Sequence, residues 1–136
     1  MNLPRSALAV GFVFWLAGTA LLIPMGHRLF GPDNALPAFA WSLLIVAATF
    51  FGIRAIARRV FARRRNISIA DGALFGAFAC LPGLILDAAT YAAGRGTYPG
   101  LNASASGSMT ITLFLAYAAA LAAALNAARS LQSQPM

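Results

Sequence analysis

Asp87 sits inside the stretch LPGLILDAATYAAGRGTYPG, Leu81 to Gly100, where most neighbours are apolar. A carboxylate in such a run has two kinds of work open to it. It holds a proton or a cation, the usual role of an acid within a membrane span, or it accepts hydrogen bonds that tie helices together. The groups placed to join it are Tyr91, one helical turn on, and His27, Arg28 and Arg95, which flank apolar runs at the same membrane face. On a helix that begins near Ile69, a rise of 1.5 Å per residue puts Asp87 about 27 Å along, close to that face and away from the midplane. A coupling site usually lies deeper. Asp87 therefore reads first as a structural polar clamp and second as an ion site.

Little other chemistry is on offer. The single histidine, His27, has no Ser/Asp set to complete a triad, and the chain holds no HExxH, CxxC or GxxxxGK pattern. One histidine supplies at most one axial ligand to a haem. The lone cysteine, Cys80, forms no intrachain disulfide and no cysteine-rich metal site, and its apolar surroundings make it a packing residue. The expectation is a protein that is not an enzyme and uses no metal and no cofactor.

The elements that position Asp87 follow from composition. Of 136 residues 60% are hydrophobic and 10% charged, and the mean hydropathy is +0.76. A soluble domain carries about 25% charged residues, so lipid is the expected solvent for most of this surface. Four apolar segments emerge, at about Ser6–Met25, Leu36–Ile56, Ile69–Ala93 and Met109–Ala128. Each approaches the roughly 20 residues needed to cross a bilayer as a helix. None alternates as a barrel strand must. The predicted fold is all-α, a single integral membrane bundle of four transmembrane helices over residues 1–136.

Local signals mark the boundaries. Pro37 suits a first helical turn, Ser68-Ile-Ala-Asp71 reads as a capping box, and Gly94 as a stop. The run NASASGS, Asn102 to Ser108, reads as a polar loop before the fourth helix. Pro82 removes a hydrogen bond inside the third helix and bends it, as a static kink more readily than a hinge. The first apolar run continues through Leu21, Leu22 and Ile23, longer than the core of a cleaved signal peptide, so it is read as a retained span.

All ten basic residues are arginine, and the net charge is +7. Six of them, Arg54, Arg58, Arg59, Arg63, Arg64 and Arg65, crowd one loop, 54–65, between the second and third spans; the apolar side of this cluster, in Ile53, Ile56, Ala57 and Val60, also suits a basic helix lying at the inner surface. That placement orients a membrane protein and contacts lipid headgroups, so no nucleic-acid partner is implied. The expected setting is a bacterial inner membrane. Arg5, Arg129 and both termini then share the cytoplasmic side with the loop, and Arg28 and Arg95 lie outside.

Small residues mark the packing faces. Gly72, Gly76, Ala79, Gly83, Asp87, Thr90 and Gly94 fall on a stripe about 80° wide at 100° per residue. Gly11, Trp15, Gly18, Leu22 and Gly26 form a similar stripe on the first helix. Such stripes let helix backbones approach closely. The first and third helices should pack on each other or on a partner, with Trp15 as a packing or interface residue.

The strings FVFWLAGTALL and LPGLILDAATY, with YPGLN beyond, carry a resemblance. Trp15 and Gly18, then Pro82, Gly83, Leu86, Asp87 and Ala88, then Pro99 and Asn102, resemble a family of small uncharacterised bacterial four-helix membrane proteins, a domain of unknown function. The resemblance spans nearly the whole chain and implies a topology without an activity. Small multidrug exporters are similar in length but carry an acid in the first helix, absent here. The composite expectation is a non-catalytic inner-membrane protein, bound to another membrane protein or to itself. The alternative is a small homo-oligomeric transporter or channel with Asp87 at its mouth.

Overall fold

The computed structural model describes residues 2–30, 35–64, 66–98 and 101–132, with the backbone alone for residues 35–37. Four helices account for nearly all of them: α1 Leu3–Phe30, α2 Ala35–Phe61, α3 Ile69–Ala93 and α4 Ala103–Gln132. Each contains a span long and apolar enough to cross a membrane, and no strand occurs among the described residues. The chain is a multi-pass membrane protein, an all-α bundle of four helices. At 1.5 Å per residue the helices run about 37–45 Å, longer than the roughly 30 Å hydrocarbon core.

The boundaries that differ most from the sequence expectation are the end of α1, the end of α2 and the start of α4. α1 continues through Pro24 and takes His27 and Arg28 into its last turn. α2 continues past Ile56 to Phe61, so Arg54, Arg58 and Arg59 lie on a helix and not in a loop. Arginine is a good helix former, and Ile53, Ala57 and Phe61, four residues apart, are buried at 2% exposure or less. Arg63 and Arg64 follow in a turn, and Arg65 lies outside the described residues.

α4 begins six residues earlier than Met109. Asn102 caps it by accepting the Ala105 N–H at 2.8 Å, a strong N-cap arrangement. Ala105 and Ser106 are then fully buried. Small polar residues spell loop in water, but here they spell close helix contact. α3 matches its expected bounds. Ser68 Oγ accepts the Asp71 N–H at 3.1 Å, and Asp71 Oδ2 accepts the Ser68 N–H at 2.9 Å, which closes the capping box.

α3 and α4 form a central antiparallel pair, with α1 laid chiefly against α3 and α2 against α4. Lipid tails are as apolar as leucine, so close packing and polar contacts must hold such helices together. The small residues provide it. A Cβ on Gly72 would lie 2.8 Å from the Ala128 Cβ, and one on Gly76 2.7 Å from Leu121 Cδ1. The GxxxG pair of α3 therefore receives α4 and not α1. On the other side, a Cβ on Gly11 would overlap the Ala79 carbonyl oxygen, which fixes α1 on α3. Large side chains such as Phe12, Phe39, Phe51, Ile85 and Phe114 point outward, where lipid covers them.

Gly18 behaves differently from Gly11, because a Cβ there meets nothing within 4 Å. Gly11→Ala should therefore cost about 1–3 kcal/mol through overpacking against backbone. Gly18→Ala should be neutral or stabilise by up to about 1 kcal/mol, through a less flexible unfolded chain. Unfolding of the two variants in mixed micelles checks the contrast.

Candidate functional site

Two packed clusters divide the bundle along its length. At the arginine-rich end Leu3, Ala7, Ala57, Phe61, Phe75 and Ala127 pack together. At the far end Leu22, Leu29, Phe30, Tyr98 and Met109 do so. Asp87 lies on α3 beside the second cluster, half-buried.

Three side chains from three other parts of the chain donate to its carboxylate. The Trp15 indole of α1 donates to Oδ1 at 2.8 Å. The Tyr98 hydroxyl, from the α3–α4 turn, donates to the same oxygen. The Tyr117 hydroxyl of α4 donates to Oδ2. One carboxylate thus joins α1, α3, α4 and the intervening turn.

Each donor is placed by its own local chemistry. Tyr98 depends on a reversal in which Arg95 and Gly96 adopt φ of 53° and 87°, closed by the Gly96 N–H on the Tyr91 carbonyl at 2.9 Å. Glycine takes that conformation readily; arginine does so at a cost. The chain then turns inward, and the buried Ser106 hydroxyl accepts the Tyr98 N–H at 3.1 Å. The Tyr91 ring stands edge-on to Tyr98 with centroids 5.9 Å apart. Tyr117 lies over Gly83, where a Cβ would come 2.6 Å from its hydroxyl. Trp15 reaches α3 because Gly11, one turn earlier, lets the two backbones meet.

Burial first, and then the hydrogen bond to Asp87, push the Tyr98 phenol well above the ordinary tyrosine range. It therefore remains a neutral donor at any physiological pH. Tyr98, Tyr117 and Trp15 are all donors toward this carboxylate, and an indole N–H can only donate. Among the described residues Arg64 with Asp71, at 3.7 Å, is the ion pair formed, and no cationic side chain pairs with Asp87.

The expected partners are therefore replaced by others. His27, Arg28 and Arg95 are exposed and do not reach the carboxylate. Tyr91 makes no hydrogen bond to the carboxylate and meets the site at the Tyr98 ring. Trp15, read from sequence as packing, is a direct partner, and Tyr98 and Tyr117 were missed. Two other contacts stitch α2 to α4: Ser42 with Thr112 at 2.7 Å, and Arg54 Nε donating to Asn126 Oδ1 at 2.8 Å. Cys80 is buried, with its thiol 3.5 Å from the Tyr117 carbonyl.

Two spaces adjoin the carboxylate. A cavity of about 100 Å³ lies between the four helices, bordered by Gly18, Thr19, Thr49, Met109 and Ala116. A groove of about 380 Å³ runs between α3 and α4 past Leu84, Ala88, Tyr91, Thr110 and Phe114. Asp87, Tyr98 and Tyr117 border both. No family model, curated protein or solved structure matches the chain.

Proposed function

We propose that the chain is a non-catalytic inner-membrane protein of bacterial type, working through packing, either with itself or as an accessory to another membrane protein. The observation that carries this reading is the three-donor hub at Asp87. Among the described residues, the acid in the far half of the bundle, Asp87, is engaged by the protein's own Trp15, Tyr98 and Tyr117. His27, the chain's single histidine, is exposed at a helix end. The arginine-rich end, with Arg58, Arg59 and Arg63, suits the cytoplasmic face under the positive-inside tendency. The resemblance to the small four-helix family is consistent with this topology.

Native mass spectrometry after gentle extraction from the host membrane tests the role. A stoichiometric unrelated subunit is the expected result for an accessory protein. A bare homo-oligomer fits self-packing and the second reading, a small transporter or channel, alike, and Asp87→Asn then separates them. The second reading draws support from one observation: the interior cavity ends at Asp87. Under it, Asp87→Asn should fold normally and lose flux. Under the packing reading the variant unfolds more easily and flux is not the affected property.

A further inference from the structure

The hub leaves one hydrogen-bonding position and one charge unmatched. A carboxylate offers about four lone-pair sites. Oδ1 takes Trp15 and Tyr98, whereas Oδ2 takes Tyr117 alone. The donors are neutral, and buried charges are ordinarily paired with an opposite charge. The half-buried carboxylate also borders the groove between α3 and α4. The groove's rim residues, Leu84 and Phe114, are exposed on the bundle's outer surface. Its volume of about 380 Å³ exceeds twice the roughly 150 Å³ that accommodates a benzene ring.

We infer that Asp87 and this groove form a binding site for a protonated primary amine carrying a single apolar chain, which enters sideways from the bilayer. The ammonium donates to the free position on Oδ2 and supplies the missing charge. The chain lies along Leu84, Ala88 and Phe114. A zwitterionic phospholipid is a poorer occupant, because no cationic side chain among the described residues lines the groove to pair with its phosphate. The site does not depend on the packing role, and it is read by a different signal.

Trp15 reports on it directly. The full chain carrying Trp41→Phe, in phosphatidylcholine nanodiscs, is titrated with dodecylammonium while indole emission is followed. The expected result is a saturable change, weakened at least tenfold by Asp87→Asn. Because that variant also loosens the bundle, Ala88→Phe supplies a second arm. It narrows the groove from a residue that makes none of the hub's hydrogen bonds, and should weaken binding at least tenfold; a resting emission and an unfolding transition like the parent's show that the hub is intact. 1-Dodecanol should give no saturable change, and adding phosphatidylethanolamine to the nanodiscs should not compete. An unsaturable response identical in the parent and both variants would mean bilayer partitioning and overturn the site. Unaltered binding in Ala88→Phe, saturation by 1-dodecanol, or competition by phosphatidylethanolamine would overturn the groove, the charge or the single-chain assignment respectively.

Discussion

Asp87→Asn should lower the unfolding free energy by about 2–4 kcal/mol, measured by reversible unfolding in mixed micelles. The carboxylate accepts hydrogen bonds from Trp15, Tyr98 and Tyr117. Bonds to a charged acceptor contribute about 1.5–3 kcal/mol each in water-soluble proteins. Side-chain hydrogen bonds inside membranes average nearer 0.6 kcal/mol, because the unfolded chain finds other partners. Asparagine keeps one oxygen acceptor and presents an amide N–H₂ on the other side. The Tyr117 hydroxyl must then turn to accept, or lose its partner. The loss therefore falls between the sum of three strong bonds and the smaller membrane values. A change under about 0.5 kcal/mol would remove the clamp.

The second large effect belongs to Gly83. Gly83→Ala should cost about 1–3 kcal/mol, because the new methyl meets the Tyr117 hydroxyl at 2.6 Å and its ring carbons just beyond. Tyr117 can escape only by leaving Asp87 Oδ2. The two positions should consequently couple. In a double-mutant cycle with Tyr117→Phe, the alanine meets no hydroxyl and the hydrogen bond is already gone. The double variant should be less destabilised than the sum of the singles, by about 0.5–3 kcal/mol. Strict additivity would mean that Gly83 matters only for backbone packing.

The span count was readable in the sequence because hydropathy and length dominate in a bilayer. The start of α3 was readable too, since Ser68 and Asp71 make a strictly local capping box. The start of α4 was hidden. NASASGS is loop-like by composition, yet Asn102 caps a helix whose Ala105 and Ser106 are buried. Only the tertiary contact with Tyr98 shows why small polar residues belong there. The end of α2 was half-legible: the arginines suggested a loop, while the apolar side of Ile53, Ile56, Ala57 and Val60 allowed the helix to run on, as it does to Phe61.

For the site, the sequence identified the carboxylate and missed its company. His27, Arg28 and Arg95 were attractive by charge, but they fall on the exterior. Charge says who is attracted, and register decides who arrives. One clue to Tyr117 was present. Once Gly72 and Gly76 are set against Ala128 and Ala124, the antiparallel register of α3 and α4 carries Tyr117 to Gly83. Tyr98 had no comparable signal, since its approach depends on the left-handed backbone at Arg95 and Gly96.

The central claim is that Asp87 holds the bundle's helices through its own side-chain donors, and Trp15 offers the cleanest view of it. The measurement is the indole ¹H–¹⁵N resonance of Trp15 in the wild-type chain and in Asp87→Asn, with Trp41 as the internal reference. The expected result is a downfield-shifted, slowly exchanging Trp15 proton that moves upfield and exchanges faster in the variant while Trp41 stays put. A Trp15 resonance that resembles Trp41 in the wild type, and does not respond to the substitution, would contradict the account.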